Sequence, residues 1–286
     1  MTARSIHPLT TLGCVSLTIR DLSRSLDFYT EIIGLRTIER SVSGADLGVD
    51  GKTLLRLVEN PSAEMPKHTA GLYHFAILVP SRLDLARSLQ HLLEARAPLQ
   101  GFADHLVSEA IYLGDPDGNG IEIYRDRPRG RWPRRDGQLM MATDPLDVNG
   151  LLDELGNAPG EWAGLAPETR IGHIHLHVSD LGESVAYYER ALGFDLVLRY
   201  GLSAAFLSAG GYHHHVGCNT WAGVGVPPAP VDAVGLRWFS IELPDSDSYD
   251  EAVERLNRAS LRAEEREEGL LLHDPSWNGI LLRSER

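Results

Sequence analysis

An internal repeat relates the two halves of the chain. The segment LGCVSLTIRDLSRSLDFYTEIIGL (residues 12–35) aligns without a gap on IGHIHLHVSDLGESVAYYERALGF (residues 171–194), at an offset of 171 − 12 = 159 residues. Two further pairs of segments match, namely GLYHFAILVP (71–80) with GLRWFSIELP (235–244), and DPDGNGIEI (115–123) with DPSWNGILL (274–282). Similarity at a fixed spacing indicates copies of one structural unit. The two halves are therefore predicted to be copies of one fold.

Each half contains two smaller units with the same pattern. An alternating strand over residues 13–19 precedes an amphipathic helix over 22–33, which ends at Gly34, a position where helices favour glycine. Short strands follow. The pattern then restarts at Tyr73, with a strand, a helix over 81–96 and a hairpin whose D-G and N-G steps suit tight turns. The sequence predicts strand, helix and three strands, four times over, which is an α+β fold.

A segment rich in proline, glycine and charge separates the halves. We assign residues 1–126 to the N-terminal half, 127–170 to a connecting strap and 171–286 to the C-terminal half. The strap is long for a linker inside a compact domain. It contains one predicted helix, over 145–155. We interpret it as a segment that crosses from one half to the other.

Composition narrows the classes of function. The formal net charge is −13 and the arginine-rich stretch at 125–137 is short, so the basic surface that binds nucleic acid or anionic membranes is not expected. No apolar run reaches the roughly 18 residues of a membrane span, or the length of a signal peptide near the N-terminus. The chain has two cysteines, too few for a disulfide framework. We predict a cytoplasmic protein without nucleic-acid or membrane partners.

The four modules resemble the vicinal oxygen chelate superfamily, which includes glyoxalases, bleomycin-resistance proteins and extradiol dioxygenases. The resemblance covers nearly the whole chain outside the strap, and rests on the D-L-x-x-S-x-x-F-Y helix, on DPDGNGIEIY and on four βαβββ modules in register. It implies two open barrels, each built from two modules. It also implies a metal inside one barrel, bound by side chains from first and last strands.

Side chains that could bind a metal at those strand positions are confined to the two central modules. The second module has His74 and Glu122, and the third has His173. A histidine in an apolar strand is more often a hydrogen-bonded core residue than a ligand, and Glu122, between two isoleucines, could equally point to solvent. However, the fourth module has Trp238 and Leu281 at the positions of His74 and Glu122. The fold itself therefore does not require a histidine or an acid there.

The order in which the modules pair decides whether these residues meet. If they pair along the chain, His74 and Glu122 share a barrel with Cys14, and His173 stands alone. If the second module pairs with the third, His74, Glu122 and His173 form a two-histidine, one-carboxylate triad, which suits non-haem Fe(II) because it leaves coordination positions open. We predict this central pairing, with a metal-free barrel from the first and fourth modules. Mn(II), Zn(II) and Ni(II) are the alternative metals.

Within the superfamily, the chain is most similar to extradiol dioxygenases of the catechol 2,3-dioxygenase type. Tyr112 follows His105 by seven residues, and Glu122 follows Tyr112 by ten, in the segment DHLVSEAIYLGDPDGNGIEIY. The fourth module has Leu271 in place of Tyr112. The family's H-x-x-A-L segment aligns on HHHVGC and places the acid–base histidine at His214. If this run is a strand, its alternation turns the histidines on either side of His214 to the opposite face.

The resemblance implies the addition of O2 to a small aromatic diol at the metal, with ring cleavage. His214 would transfer a proton, and Tyr112 and His105 would donate hydrogen bonds to the substrate oxygen and to the ring-cleavage intermediate. His175 and His177 follow His173 on the same strand face, where either a pocket wall or the surface can accommodate them. The substrate and the oligomeric state, with a homo-oligomer as one option, are not specified by the sequence.

Two other classes of function remain open at this stage. A glyoxalase-like isomerase or lyase would use the same fold with Zn(II) or Ni(II), but normally with a fourth protein ligand. The third module offers no second carboxylate on its last strand. A resistance-type protein would sequester a ligand in a metal-free cleft, and such proteins lack the three predicted metal ligands. The sequence therefore favours the dioxygenase.

Overall fold

The computed structural model describes residues 5–156 and 162–284. It confirms four modules, each with one strand, one helix and three further strands. The N-terminal half contains β1 (Thr11–Ile19), α1 (Leu22–Asp27), β2 (Arg36–Arg40), β3 (Gly44–Val49) and β4 (Lys52–Glu59), then β5 (Gly71–Leu78), α2 (Arg82–Glu94), β6 (Leu99–Asp104), β7 (Ser108–Gly114) and β8 (Gly120–Asp126). The strap contains β9 (Arg134–Arg135), β10 (Gln138–Leu139) and α3 (Val148–Leu152).

The C-terminal half repeats the same order of elements. It contains β11 (Arg170–His177), α4 (Leu181–Tyr187), β12 (Asp195–Tyr200), β13 (Ala204–Ser208) and β14 (Val216–Asn219), then β15 (Gly235–Leu243), α5 (Ser246–Arg258), β16 (Glu264–Arg266), β17 (Gly269–His273) and β18 (Gly279–Ser284). The helix predicted in the strap is confirmed as α3, which continues as a 3₁₀ turn to Leu155.

No helix within residues 5–156 and 162–284 is both long enough and apolar enough to span a membrane.

The module helices begin at side-chain caps that the sequence encodes. The side chains of Asp21, Ser81, Asp180 and Asp245 each accept a hydrogen bond from a backbone N–H three residues later. Such caps satisfy one of the N–H groups that a helix start leaves without an intrahelical partner. In the first and third modules the helix ends in a π-helical turn, Phe28–Ile32 and Tyr188–Leu192 respectively. The first and third modules therefore share this irregular helix end as well as the order of their helices and strands.

The strands form two open, curled sheets of eight strands. One sheet has the order β12-β13-β14-β11-β5-β8-β7-β6, and thus consists of the third and second modules. The other has the order β16-β17-β18-β15-β1-β4-β3-β2, and consists of the fourth and first modules. The central pairing predicted from the distribution of ligand residues is confirmed, and pairing in chain order is not the arrangement that forms.

The turn before the last strand of the second module is organised around a buried carboxylate. One oxygen of Asp115 accepts hydrogen bonds from the backbone N–H groups of Asp117, at 2.9 Å, and Asn119, at 2.8 Å. The other accepts from the Asn119 amide at 2.9 Å and from the Tyr29 hydroxyl at 2.8 Å. Burial raises the pKa of Asp115, because these donors only partly replace the lost water. The tyrosine thus joins the first module to this turn.

The fourth module repeats this turn around Asp274, which accepts from the Tyr188 hydroxyl at the longer distance of 3.2 Å. We expect Tyr29→Phe to lower the free energy of unfolding by about 1–3 kcal/mol, since it deprives a buried carboxylate of a donor. Tyr188→Phe should cost less because its hydrogen bond is longer. Urea unfolding of both variants measures the difference. Equal and negligible losses would show that neither hydroxyl contributes.

Candidate metal centre

Three neighbouring strands bring His74, Tyr112 and Glu122 to one face of their sheet. In the parallel pair of β5 and β8, Glu122 lies opposite Ala76, which is two residues from His74. In the antiparallel pair of β7 and β8, Tyr112 lies directly opposite Glu122. Side chains at alternate positions of a strand share a face. His74 Nε2 is 3.1 Å from Glu122 Oε2, and the rings of His74 and Tyr112 are 5.7 Å apart.

Both His74 and Glu122 are buried, and the side chain of Glu122 is 2% exposed. The possibility that Glu122 points to solvent is therefore wrong. On the same face of the sheet, Glu122 lies next to a packed apolar cluster of Ala76, Leu78, Ala110 and Tyr124. An acid in such surroundings is costly unless a cation or strong donors compensate it. This burial is what a metal ligand requires and what a solvated surface acid does not show.

His173 on β11 is also buried, and it lies beside the histidine run. Its ring centroid is 4.1 Å from that of His214 and 6.0 Å from that of His213. His213, His214 and His215 are all buried, so the run is not a solvated surface segment. The three residues precede β14, which begins at Val216. Strand alternation therefore does not decide which of them faces the centre.

The three consecutive histidines have different environments. Nδ1 of His213 and Nδ1 of His214 are 2.7 Å apart, so one of the two donates a hydrogen bond to the other. His215 instead accepts a hydrogen bond at Nδ1 from the backbone N–H of Ala209, at 3.1 Å. Its ring packs against Tyr212, with centroids 4.8 Å apart. His213 and His214 thus form a pair next to His173, while His215 is engaged elsewhere.

One ligand atom from each of His74, Glu122 and His173 lies within 4.8 Å of the other two. Within residues 5–156 and 162–284, this is the one group of three or more histidine, cysteine, aspartate or glutamate residues that meets such a distance criterion. Two imidazole nitrogens and a carboxylate oxygen are donors that divalent transition metals accept. Cys14 is buried, forms no disulfide and lies outside the group. The composition of the group therefore fits a metal ion.

His105 contacts this group of residues through Tyr112. His105 Nε2 is 2.6 Å from the Tyr112 hydroxyl oxygen, and His105 Nδ1 is 2.6 Å from the carbonyl oxygen of Ala142 in the strap. The sequence spacing identified the His–Tyr pair. It gave no signal for Ala142, because any residue supplies a backbone carbonyl, and its position depends on the path of the strap.

An aromatic wall of Tyr73, His175, Phe206 and Trp221 extends from the histidine pair. The centroid of Phe206 is 4.9 Å from that of His214 and 5.6 Å from that of His175. His175 in turn lies 5.4 Å from Trp221 and 5.2 Å from Tyr73. Alternation along β11 had identified His175 as a candidate wall residue. Phe206 and Trp221 were missed, because single aromatic residues on later strands carry no distinctive spacing.

Gly217 makes room for the His175 ring. The two residues are partners in the parallel pair of β11 and β14, and a Cβ atom on Gly217 would lie 2.9 Å from ring carbons of His175. We expect Gly217→Ala to displace this ring and to lower the free energy of unfolding by about 1–3 kcal/mol, the usual cost of overpacking a core. Thermal unfolding measures the loss. An unchanged Tm would show that the ring moves without cost.

Comparison with known proteins agrees with this fold. Residues 11–123 and 170–267 match the model of the Glyoxalase/Bleomycin resistance protein/Dioxygenase superfamily. The match covers well over half of the chain. The chain therefore belongs to this superfamily.

Particular relatives extend this comparison. The chain is 48% identical over 276 residues to the catechol-2,3-dioxygenase of Bacillus subtilis (strain 168), with 95% of this chain and 96% of the relative covered. A mutant of glyoxalase I from Zea mays has a TM-score of 0.61 at 15% identity, covering 96% of this chain and 94% of that chain. The cppA protein of Streptococcus pneumoniae TIGR4 has a TM-score of 0.53 at 13% identity, covering 96% and 99%. These two structures are similar in fold alone.

Proposed function

We propose that the chain is an extradiol ring-cleavage dioxygenase, which adds O2 to a catechol-type substrate at a non-haem metal bound by His74, Glu122 and His173. The buried group of two histidines and one carboxylate carries this proposal. The 48% identical relative, which is named catechol-2,3-dioxygenase, supports the reaction and its two substrates, a small aromatic diol and O2.

The donor set favours Fe(II), because two imidazoles and one carboxylate leave coordination positions open at an octahedral ion. Mn(II), Zn(II) and Ni(II) accept the same donors. When bound, the metal supplies the positive charge that lowers the pKa of a catechol hydroxyl, and the positions at which substrate and O2 can be bound side by side. The protein contributes a buried setting in which that charge is poorly screened.

His214 is the proposed acid–base residue. Imidazoles exchange protons near neutral pH, and the His214 ring lies 4.1 Å from that of the ligand His173, measured between centroids. His213 is hydrogen-bonded to it at 2.7 Å, which fixes the orientation of the ring. His214 therefore takes a proton from the substrate and returns it later in the reaction.

Tyr112 and His105 act beside His74 and Glu122, since Tyr112 pairs with Glu122 in the sheet and its ring centroid lies 5.7 Å from that of His74. The Tyr112 hydroxyl forms the hydrogen bond to the substrate oxygen. His105 supports that hydroxyl through its own contact at 2.6 Å. The aromatic wall of Tyr73, His175, Phe206 and Trp221 offers ring surfaces against which an aromatic substrate packs, and from which water is excluded.

The alternative functions are less well supported. A glyoxalase-like isomerase would add a fourth protein ligand, and within residues 5–156 and 162–284 the donor group has three members. A metal-free resistance protein would not require a buried acid between two histidines. The similarity to glyoxalase I is one of fold. The dioxygenase proposal therefore accounts for more of the site.

The test is to purify the protein without O2, load it with Fe(II) and add catechols in air. We expect stoichiometric O2 uptake and a yellow ring-fission product that absorbs in the near ultraviolet to visible. Loading with Zn(II) is the control, since zinc occupies the same donors without redox chemistry. If the iron-loaded protein consumes no O2 with a panel of substituted catechols, the proposal is wrong.

A further inference from the structure

We propose that residues 127–156 of the strap are a positioning element of the active site: the Ala142 carbonyl holds His105 in the tautomer protonated at Nδ1, so that Nε2 accepts a hydrogen bond from the Tyr112 hydroxyl. The role of this arrangement in turnover rests on the proposed dioxygenase function. The tautomer of His105 does not depend on that function, and it can be measured independently of activity.

The tautomer follows from the two contacts of the His105 ring. A carbonyl oxygen can only accept a hydrogen bond, so the nitrogen 2.6 Å from the Ala142 oxygen, Nδ1, carries the hydrogen. In a neutral imidazole the other nitrogen is then an acceptor. The Tyr112 hydroxyl, 2.6 Å from Nε2, must therefore donate to it. The oxygen of Tyr112 keeps its lone pairs for another hydrogen bond.

Backbone pairing fixes the position of the Ala142 carbonyl. Asp144 in the strap and Asp104 at the end of β6 form an antiparallel bridge, in which each backbone N–H donates to the carbonyl of the other, at 2.8 and 2.9 Å. The N–H of Ala142 also donates to the carbonyl of His105, at 3.4 Å. The strap thus runs beside the residues that carry the His105 ring.

Ion pairs reinforce this bridge. Arg127, at the start of the strap, binds Asp104 at 2.7 Å and the buried Glu109 at 3.2 Å. Its guanidinium lowers the pKa of Asp104. Arg82 on α2 binds Glu109 at 3.0 Å and donates to the carbonyl of Gly150 in α3, at 2.8 Å. The strap is therefore attached to the second module on both sides of Ala142.

This arrangement enables the Tyr112–His105 pair to accept a proton. A catechol has two hydroxyls, and His214 takes the proton of one. As the other hydroxyl transfers its proton to the Tyr112 oxygen, the hydroxyl proton of Tyr112 moves to His105 Nε2. The substrate gains one negative charge and His105 one positive charge, and the imidazolium then donates to both Ala142 and Tyr112. In the opposite tautomer Nε2 would already carry a hydrogen and could accept none.

The test combines nitrogen NMR with kinetics on the metal-loaded protein. In protein labelled with ¹⁵N-histidine, His105 is assigned by its loss in His105→Gln, and we expect a protonated Nδ1 with an unprotonated Nε2. Arg127→Met should release the strap, give mixed tautomers at His105 and lower kcat about tenfold, with KM changed less than twofold, as for outer residues that orient an active-site imidazole. Arg127→Lys, which retains the charge, should restore both readouts.

Arg135→Met is the matched control, because Arg135 lies exposed in the same strap, and it should change neither readout. If Arg127→Met does not fold, Asp144→Pro removes one hydrogen bond of the bridge and should have the same effects. A wild-type His105 protonated at Nε2 would overturn the proposal, as would an unchanged tautomer and kcat in these variants. If no catechol is cleaved, the dioxygenase proposal fails separately, while the NMR result still decides this one.

Discussion

Replacing His173 with alanine is expected to abolish stable metal binding and to lower ring-cleavage activity at least about 10³-fold, because a bound metal contributes several kcal/mol to catalysis. The substitution removes one of three donors, and no other histidine, cysteine or acid completes a comparable group within residues 5–156 and 162–284. It also leaves the carboxylate of Glu122 buried beside His74 with less compensating charge. Metal content after gel filtration measures the first effect, and O2 uptake with catechol measures the second.

The internal repeat supplies a matched control for this variant. Cys14 occupies the position of His173 in the first module, 173 − 14 = 159 residues earlier. It lies on β1, in the sheet of the first and fourth modules. Cys14→Ala should therefore retain metal and activity. Loss of metal in Cys14→Ala together with its retention in His173→Ala would contradict the assignment of the site to the second and third modules.

His214→Phe is expected to retain metal and to lower kcat about 10²–10³-fold, the range that general acid–base catalysis contributes. A phenyl ring keeps the packing against His173 and Phe206, whose centroids lie 4.1 and 4.9 Å from that of His214. It removes the ring nitrogens, and with them the hydrogen bond to His213. Metal analysis and steady-state kinetics over a range of pH measure the two effects, and the pH profile should lose the limb that belongs to this imidazole.

The control for this variant is His273→Phe, the same substitution at an exposed position in the fourth module. It should leave metal content, kcat and the pH profile unchanged. Loss of metal in His214→Phe would indicate that His214 is a ligand. An unchanged kcat would indicate that the proton assigned to His214 is transferred by another group.

Most of the fold could be predicted from the sequence, because the same module pattern occurs twice in each half. The positions where copies differ were the most informative. In the fourth module, Trp238 and Leu281 occupy the positions that His74 and Glu122 occupy in the second module. This difference predicted which modules share a sheet. The order of strands in that sheet confirms the prediction.

The surroundings of the candidate site were harder to predict, for two physical reasons. The histidine run lies outside a regular strand, so its side-chain directions depend on local packing, which brings His213 and His214 together and sends His215 towards Ala209. The support of His105 comes from the backbone carbonyl of Ala142, which no residue type encodes. Sequence periodicity predicts which side chains share a face of a regular helix or strand. The histidine run and the Ala142 carbonyl both lie outside such elements.

The most direct measurement of the proposed metal centre is anomalous X-ray scattering at the iron edge, from crystals of protein loaded with Fe(II) without O2. We expect one strong peak at a distance of about 2.0–2.3 Å from nitrogen atoms of His74 and His173 and from a carboxylate oxygen of Glu122, near the bond lengths such donors form. A peak at Cys14, a peak bound by His213 and His215, or the absence of any peak beside Glu122 would contradict it.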